Sequence, residues 1–121
     1  MAALRKLSPK ELRDFSTVMS VIGDVLVGFS CQPRFFQNGG MRLNGAGELM
    51  ETVADLVTGY RQAAYNVAKA STPTDSDGVE WRGWTLLGFE TDMADDLAAL
   101  AVTAAETVRD ESEARFREQH R

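Results

Sequence analysis

Three long stretches of the chain repeat apolar residues at the three-to-four spacing of an amphipathic helix. The first stretch has the clearest ends, because Ser8 and Glu11 have the spacing of a capping box and Pro33 stops the helix. Its apolar series is Leu12, Phe15, Met19, Ile22, Leu26 and Phe29, with Val18 and Val25 as a second row. We therefore predict a helix over about 9–31. Its C-terminal half is expected to be nearly enclosed, with Asp24 as the one carboxylate there.

The second stretch follows Asn44, which is a suitable N-cap residue, and predicts a helix over about 45–71. Its apolar series is Ala46, Leu49, Val53, Leu56, Tyr60, Ala63, Val67 and Ala70. The segment between the two helices, 32–44, breaks the helical period and contains the turn signal Asn38-Gly39-Gly40. This segment is either a small hairpin or a packed irregular loop.

The third stretch keeps one helical phase from Trp84 to Val108 and passes straight through Gly88. Asp77 and Glu80 before it have capping-box spacing. We therefore predict one long helix over about 78–117, bent near Gly88. The charged end of the chain, 109–121, loses the apolar stripe and is expected to extend from the bundle or to fray.

These elements predict an all-α fold, in which residues 1–121 form a single helical domain built as an antiparallel three-helix bundle. The apolar stripes are wide on all three predicted helices. Three helices of this length present more apolar surface than a small monomer easily hides. We therefore expect the chain to form a homo-oligomer.

Charge narrows the classes of partner. The chain has 121 residues, 26% of them charged, and a formal net charge of -5. The part up to residue 47 carries six Lys/Arg and three Asp/Glu, and the remainder carries seven and fifteen. An acidic surface argues against direct binding of nucleic acid or of an anionic membrane. Without a signal peptide or an apolar segment long enough to cross a bilayer, the expected compartment is the cytoplasm. Arginine exceeds lysine, a bias typical of GC-rich bacteria.

The supply of nucleophiles and metal ligands is small. Cys31 is the one cysteine, so the chain has neither an intrachain disulfide nor a thiolate metal site of its own. The one histidine, His120, is the penultimate residue, which leaves no histidine for a catalytic triad or a di-iron site at an ordered position. We predict no catalytic residue, no metal ligand and no cofactor.

The acidic residues suggest an alternative function, a magnesium-dependent enzyme. They occur at helical spacing in two clusters, Glu48, Glu51 and Asp55, and Asp92, Asp95 and Asp96. The segment Gly23-Asp24-Val25-Leu26 resembles part of the second acidic motif of the all-α nucleotide pyrophosphohydrolases of the MazG and dimeric dUTPase type. This resemblance implies a magnesium-dependent enzyme. The chain departs from the family at Val21, where the motif has an acid, and it lacks a basic phosphate-binding segment.

A second resemblance involves three residues. Trp81-Arg82-Gly83, close to the connection between two helices, is similar to the motif of the WxG family of small secreted helical hairpins. The tyrosine-acid secretion pattern that many members carry is missing, because both tyrosines, Tyr60 and Tyr65, lie inside the second predicted helix.

Tryptophan and arginine are typical interface residues and supply the candidate contact surface. The phase of the third helix predicts that Trp84 points inward and Trp81 outward, unless Trp81 covers the end of the bundle against Phe35 or Phe36. The predicted binding residues are Trp81, Arg82, Trp84, Arg34, Phe35 and Phe36.

The function expected from the sequence is a non-enzymatic helical module that binds a protein partner or itself. Two alternatives remain open at this point. One is the magnesium-dependent nucleotide hydrolase, and the other is a helical bundle that binds a small ligand in a pocket lined by Tyr60 or Tyr65.

Overall fold

The computed structural model describes residues 2–37, 40–93 and 96–121, and in these ranges the chain is helical without β-strands. The helices are α1 (Ala2–Arg5), α2 (Pro9–Ser30), α3 (Gly45–Ala70), α4 (Ser76–Met93) and α5 (Leu97–Gln119). The all-α prediction is confirmed. The predicted count of three helices is wrong, because the structure adds α1 and divides the third helix in two. No helix within the same ranges is both long enough and apolar enough to cross a membrane.

The N-terminal ends of α2 and α3 are set by hydrogen bonds from nearby capping side chains. The backbone N–H of Ser8 donates to Glu11 Oε1 at 2.9 Å, and the N–H of Glu11 donates to Ser8 Oγ at 3.1 Å. At the start of α3, Asn44 Oδ1 accepts a hydrogen bond from the N–H of Gly47 at 2.9 Å. Because these side chains satisfy N–H groups that have no partner within the helix, both helices begin at the residue predicted from the sequence.

Two helices, α4 and α5, replace the single helix predicted over about 78–117. Helix α4 continues through Gly88 without interruption and ends at Met93. Helix α5 begins after Asp96, whose Oδ1 accepts a hydrogen bond from the N–H of Ala99 at 2.8 Å. An N-cap inside the predicted helix starts a new helix at that point, although the apolar series continues across it.

The start of α4 also differs from the prediction. Asp75, rather than Asp77, caps the helix, because its Oδ2 accepts a hydrogen bond from the N–H of Gly78 at 3.0 Å. Glu118 of α5 adds a second carboxylate at this end. It accepts hydrogen bonds from both the N–H and the Oγ of Ser76, each at 2.7 Å.

Helices α4 and α5 run antiparallel in close contact. The first residue of α4, Ser76, meets Glu118 near the end of α5, and Gly83 lies against Thr107. The charged end of the chain is helical as far as Gln119. Because Glu118 in this charged end binds Ser76, the end of the chain helps to hold α4 and α5 together.

The chain divides into two compact units. We call the residues up to Thr17 together with Gln62–Arg121 the core unit, and Val18–Arg61 the hairpin unit. The core unit contains a cluster of buried apolar residues from α1, α2, α3 and α4, namely Leu4, Leu12, Ala64, Ala68 and Leu86. Around this cluster pack half-buried neighbours, which include Leu7, Phe15 and Tyr65. The bulky side chains of α1, α2 and α4 thus pack against the small side chains of α3.

The segment between α2 and α3 is largely irregular. Pro33–Phe35 form one turn of 3₁₀ helix, and Phe36 pairs with Leu43 in an isolated antiparallel bridge. The small hairpin that the sequence allowed is therefore reduced to a single bridge. Two residues of the predicted turn, Asn38 and Gly39, lie outside the described residues.

Candidate functional site

Within the hairpin unit, helices α2 and α3 meet at Gly23 and Val57. A Cβ atom on Gly23 would lie 3.7 Å from Cγ1 of Val57, so the two helices approach closely at this level. We call the residues that flank this contact at helical spacing the inner rows. They are Met19, Gly23, Leu26 and Ser30 on α2, and Met50, Ala54, Val57 and Arg61 on α3. Every one of them is half-buried or buried.

A second apolar row lies one residue before each inner row, and it is exposed. On α2 the row is Val18, Ile22, Val25 and Phe29, and on α3 it is Leu49, Val53, Leu56 and Tyr60. Their exposed fractions run from 38% at Ile22 to 69% at Leu49. Both rows repeat with steps of four, three and four, which is the spacing of the seam of a coiled coil.

The two exposed rows lie on the same side of the hairpin unit. Successive residues of an α-helix are separated by about 100° around its axis. The segment between α2 and α3 turns back on itself at the antiparallel Phe36–Leu43 bridge, from which we infer that the two helices are antiparallel. A step back of one residue then turns in opposite senses on the two helices when both are viewed from one end. Starting from inner rows that face each other, both steps therefore lead to the same side. We call the eight residues of these two rows the exposed apolar face.

The opposite side of the hairpin unit is mostly polar. One residue after the inner rows come Ser20, Asp24 and the exposed Val27 on α2, and Glu51, Asp55 and Thr58 on α3. The polar side chains are separated from the exposed apolar face by the inner rows. The hairpin unit is therefore amphipathic across its two faces as well as along each helix.

The C-terminal half of α2 is open, contrary to the prediction that it is nearly enclosed. Asp24 is exposed, and Val25 and Phe29 on the exposed apolar face keep 50% and 52% of their surface exposed. Among the described residues of the hairpin unit, no hydrophobic side chain is buried. Periodicity identified which residues are apolar, but a second apolar row does not show what covers it.

The acidic residues that the structure describes form no cluster of three that could hold a metal ion. Within residues 2–37, 40–93 and 96–121, no group of three or more His, Cys, Asp or Glu side chains lies close enough to hold one ion. Glu48, Glu51 and Asp55 are all exposed on α3. Of the second cluster, Asp95 lies outside the described residues, and Asp96 caps α5. The arrangement gives no support to the hydrolase interpretation.

Trp81 and Arg82 stabilise the core unit. The ammonium group of Lys10 lies 5.9 Å from the centre of the Trp81 ring, and the guanidinium carbon of Arg13 lies 5.3 Å from it. Arg82 donates hydrogen bonds to the carbonyl oxygens of Ala68 at 2.8 Å and Lys69 at 3.1 Å. These carbonyls belong to the last turn of α3, which has no further helical N–H groups to bind.

The predicted inward orientation of Trp84 is wrong, whereas Trp81 is turned inward, as one of the two alternatives for it allowed. Trp81 is half-buried, whereas 54% of Trp84 is exposed. Gly83 makes the close contact with α5. Trp84 comes one residue later and therefore lies on the side of the α4–α5 pair, where solvent reaches it.

The other three predicted binding residues belong to the hairpin unit. Arg34 is exposed, and its carbonyl oxygen accepts a hydrogen bond from Nδ2 of Asn44 at 2.7 Å. Phe35 and Phe36 are half-buried in the segment between α2 and α3. Cys31 is exposed directly after α2. Whether the six predicted residues contact a partner stays a prediction.

The two tyrosines that we considered for a ligand pocket are in different surroundings. Tyr60 belongs to the exposed apolar face, with 43% of its surface exposed. Tyr65 donates a hydrogen bond to Glu90 Oε1 at 2.8 Å, and its ring stacks on that of Phe89 at 4.5 Å. Burial, followed by the hydrogen bond to Glu90, raises the pKa of Tyr65. Tyr65 is therefore a neutral hydrogen-bond donor near neutral pH.

The described part of the chain is all-α, and two of its helices, α2 and α3, carry an exposed apolar face. Comparison with known proteins adds no relative, since no protein family matches the chain and neither a curated protein nor a solved structure is significantly similar to it.

Proposed function

We propose that the chain is a non-enzymatic helical module that self-associates through the exposed apolar face. The observation that carries this proposal is the pair of exposed rows on α2 and α3. A helical hairpin whose described hydrophobic side chains are all at least partly exposed gains little from apolar burial on its own. A second copy that covers the face supplies the missing burial.

The size of the face supports a protein partner. Eight large side chains keep about half of their surface exposed. A fully exposed aromatic side chain has about 150–250 Å² and the six aliphatic ones have less, so together they present several hundred Å². The largest apolar patch on a typical monomer is about 300–600 Å², and a standard protein interface takes about 800 Å² from each partner. The face is therefore comparable to the largest apolar patches of typical monomers and would form a large part of one side of a standard interface.

The pattern of the face supports a second copy as that partner. Each exposed row has the spacing of a coiled-coil seam, and two antiparallel seams on one side form half of a four-helix bundle. An identical half supplies the other two helices through a two-fold, self-complementary contact. None of the eight residues carries a charge, so two copies of the face meet without like-charge repulsion.

The proposal is tested by placing a charge at the centre of the face. Leu56→Glu puts a carboxylate into the contact, where it loses hydration without gaining a partner. We expect the wild-type chain to sediment as a dimer at micromolar concentration and Leu56→Glu to weaken the dimer by at least about a hundredfold. Analytical ultracentrifugation over a concentration series measures both.

Thr58→Glu is the matched control, because it adds the same charge to the same helix on the polar side of the hairpin unit. It should leave the dimer intact. A wild-type chain that sediments as a monomer throughout the micromolar range contradicts the proposal. Equal weakening by Leu56→Glu and Thr58→Glu contradicts the assignment of the face.

A further inference from the structure

A groove runs along one side of the α4–α5 pair in the core unit. It has a volume of about 390 Å³, within the range of small-molecule sites. Its residues are Glu80, Gly83, Trp84, Leu87, Ala104, Thr107, Val108, Glu111 and Arg115. All of them belong to α4 or α5, so the groove shares no residue with the exposed apolar face.

Small residues give the groove its depth. Gly83 and Ala104 carry little or no side chain, and Gly83 allows α4 to approach Thr107 of α5. Trp84 and Val108 rise on either side and remain more than half exposed. An apolar ligand group that enters here contacts an indole ring and an aliphatic wall at once.

The rim of the groove carries an excess of negative charge. Glu111 forms an ion pair with Arg115 one turn later, so these two side chains largely neutralise each other. Glu80 takes part in no ion pair with the described residues, and its Oε1 accepts a hydrogen bond from Nε1 of Trp84 at 3.4 Å. A carboxylate beside an exposed indole ring therefore has no cationic partner among the residues that the structure describes.

We propose that this groove binds a small organic cation, with its apolar group against Trp84 and Val108 and its ammonium group at Glu80. A cation is attracted both by the carboxylate and by the negative face of an indole ring. An anion meets an uncompensated carboxylate instead, and a neutral ligand gains only the apolar contact. The net charge of -5 of the chain adds to this preference.

The test uses three ligands of similar size and different charge. Phenethylammonium, phenylacetamide and phenylacetate are titrated into ¹⁵N-labelled protein while the indole N–H signals of the two tryptophans are followed by NMR. Trp81→Phe identifies the signal of Trp84 by elimination. We expect a saturable shift of the Trp84 signal, with phenethylammonium binding at least about fivefold more tightly than the other two.

Two matched variants test the role of Glu80. Glu80→Gln should weaken phenethylammonium by about fivefold and leave phenylacetamide unchanged. Glu106→Gln removes the same charge from an exposed position of α5 that does not line the groove, and it should leave both affinities unchanged. Thermal melting confirms that each variant is folded.

Three results overturn the proposal. The first is the absence of a saturable shift of Trp84, and the second is equal binding of the neutral and cationic ligands. The third is an equal effect of Glu80→Gln and Glu106→Gln. That result would mean that the net charge of the chain, rather than Glu80, causes the preference for the cationic ligand. None of these results bears on self-association, because sedimentation measures that separately.

Discussion

At the scale of single residues, Gly83 and Gly88, two of the three glycines within α4, have opposite surroundings. A Cβ atom on Gly83 would overlap the side chain of Thr107, whereas one on Gly88 would have no heavy atom within 4 Å. Both glycines look like helix breakers in the sequence, and α4 passes through both. Gly83 is needed for the approach of α5, and Gly88 makes no comparable contact.

We expect Gly83→Ala to lower the free energy of unfolding by about 1–3 kcal/mol, because the added methyl group forces α4 and α5 apart. Gly88→Ala should raise it by about 0.5–1 kcal/mol, since alanine loses less backbone entropy in a helix. Urea unfolding followed by circular dichroism measures both. A gain in stability for Gly83→Ala would show that Thr107 moves aside at little cost.

The tryptophans show why residue orientation on α4 escaped sequence reasoning. Helical periodicity identifies a face by its bulky apolar residues and so assigned Trp84 to the interior. The contact with α5 instead runs through Gly83, and small residues carry little weight in an apolar series. Periodicity also gives no sign that Lys10 and Arg13 lie over Trp81.

At the scale of helices, the sequence located the ends that have a strong capping signal. Ser8 with Glu11 and Asn44 with Gly47 are short-range hydrogen-bonded pairs that can be recognised from spacing alone. The boundary between α4 and α5 was missed because Asp96 is one of several nearby acidic residues, and any of them is an acceptable N-cap. The contact of Glu118 with Ser76 joins residues far apart in the chain, so no local pattern reveals it.

Glu118 makes the attachment of α5 to α4 dependent on pH. The hydrogen bond from the backbone N–H of Ser76, followed by the one from its hydroxyl, lowers the pKa of Glu118. A carboxyl group with a lowered pKa stabilises the fold fully above its unfolded value of about 4.3. That contribution disappears as the pH falls through the lower, folded-state pKa.

We therefore expect Glu118→Gln to lower the melting temperature at pH 7. The difference from wild type should shrink as the pH falls below about 4.3. Glu113→Gln changes the same charge at an exposed position of the same helix and serves as the control. A pH-independent difference between wild type and Glu118→Gln would show that the carboxylate does not act through this capping contact.

At the scale of the whole molecule, the sequence predicted excess apolar surface but not its location. Ile22, Phe29, Val53 and Leu56 belong to series that periodicity assigned to the core, and in the structure they lie on the exposed apolar face. A hydrophobic pattern indicates that a side chain is more stable when it is buried away from water. It does not show whether the same chain or a second copy buries it, because both remove the apolar surface from water.

Self-association implies a melting temperature that depends on protein concentration. Because a dimer dissociates as it unfolds, a tenfold rise in concentration should raise the melting temperature by about 3–5 °C. Leu56→Glu, which weakens the dimer, should make the melting temperature much less dependent on concentration. Differential scanning calorimetry at several concentrations measures this, and an unchanged wild-type melting temperature would contradict coupling between the contact and folding.

The arrangement of two such copies can be measured as the distance between spin labels attached to the exposed thiol of Cys31 in each copy. Cys31 is the single cysteine of the chain, so a nitroxide spin label attaches at one position per copy, directly after α2. Two hairpins aligned in the same direction bring the labels to the same end of the pair. Two hairpins aligned in opposite directions separate them by about the length of α2 from Val18 to Ser30, roughly 18 Å at about 1.5 Å per residue. A single electron paramagnetic resonance distance therefore tells the two arrangements apart.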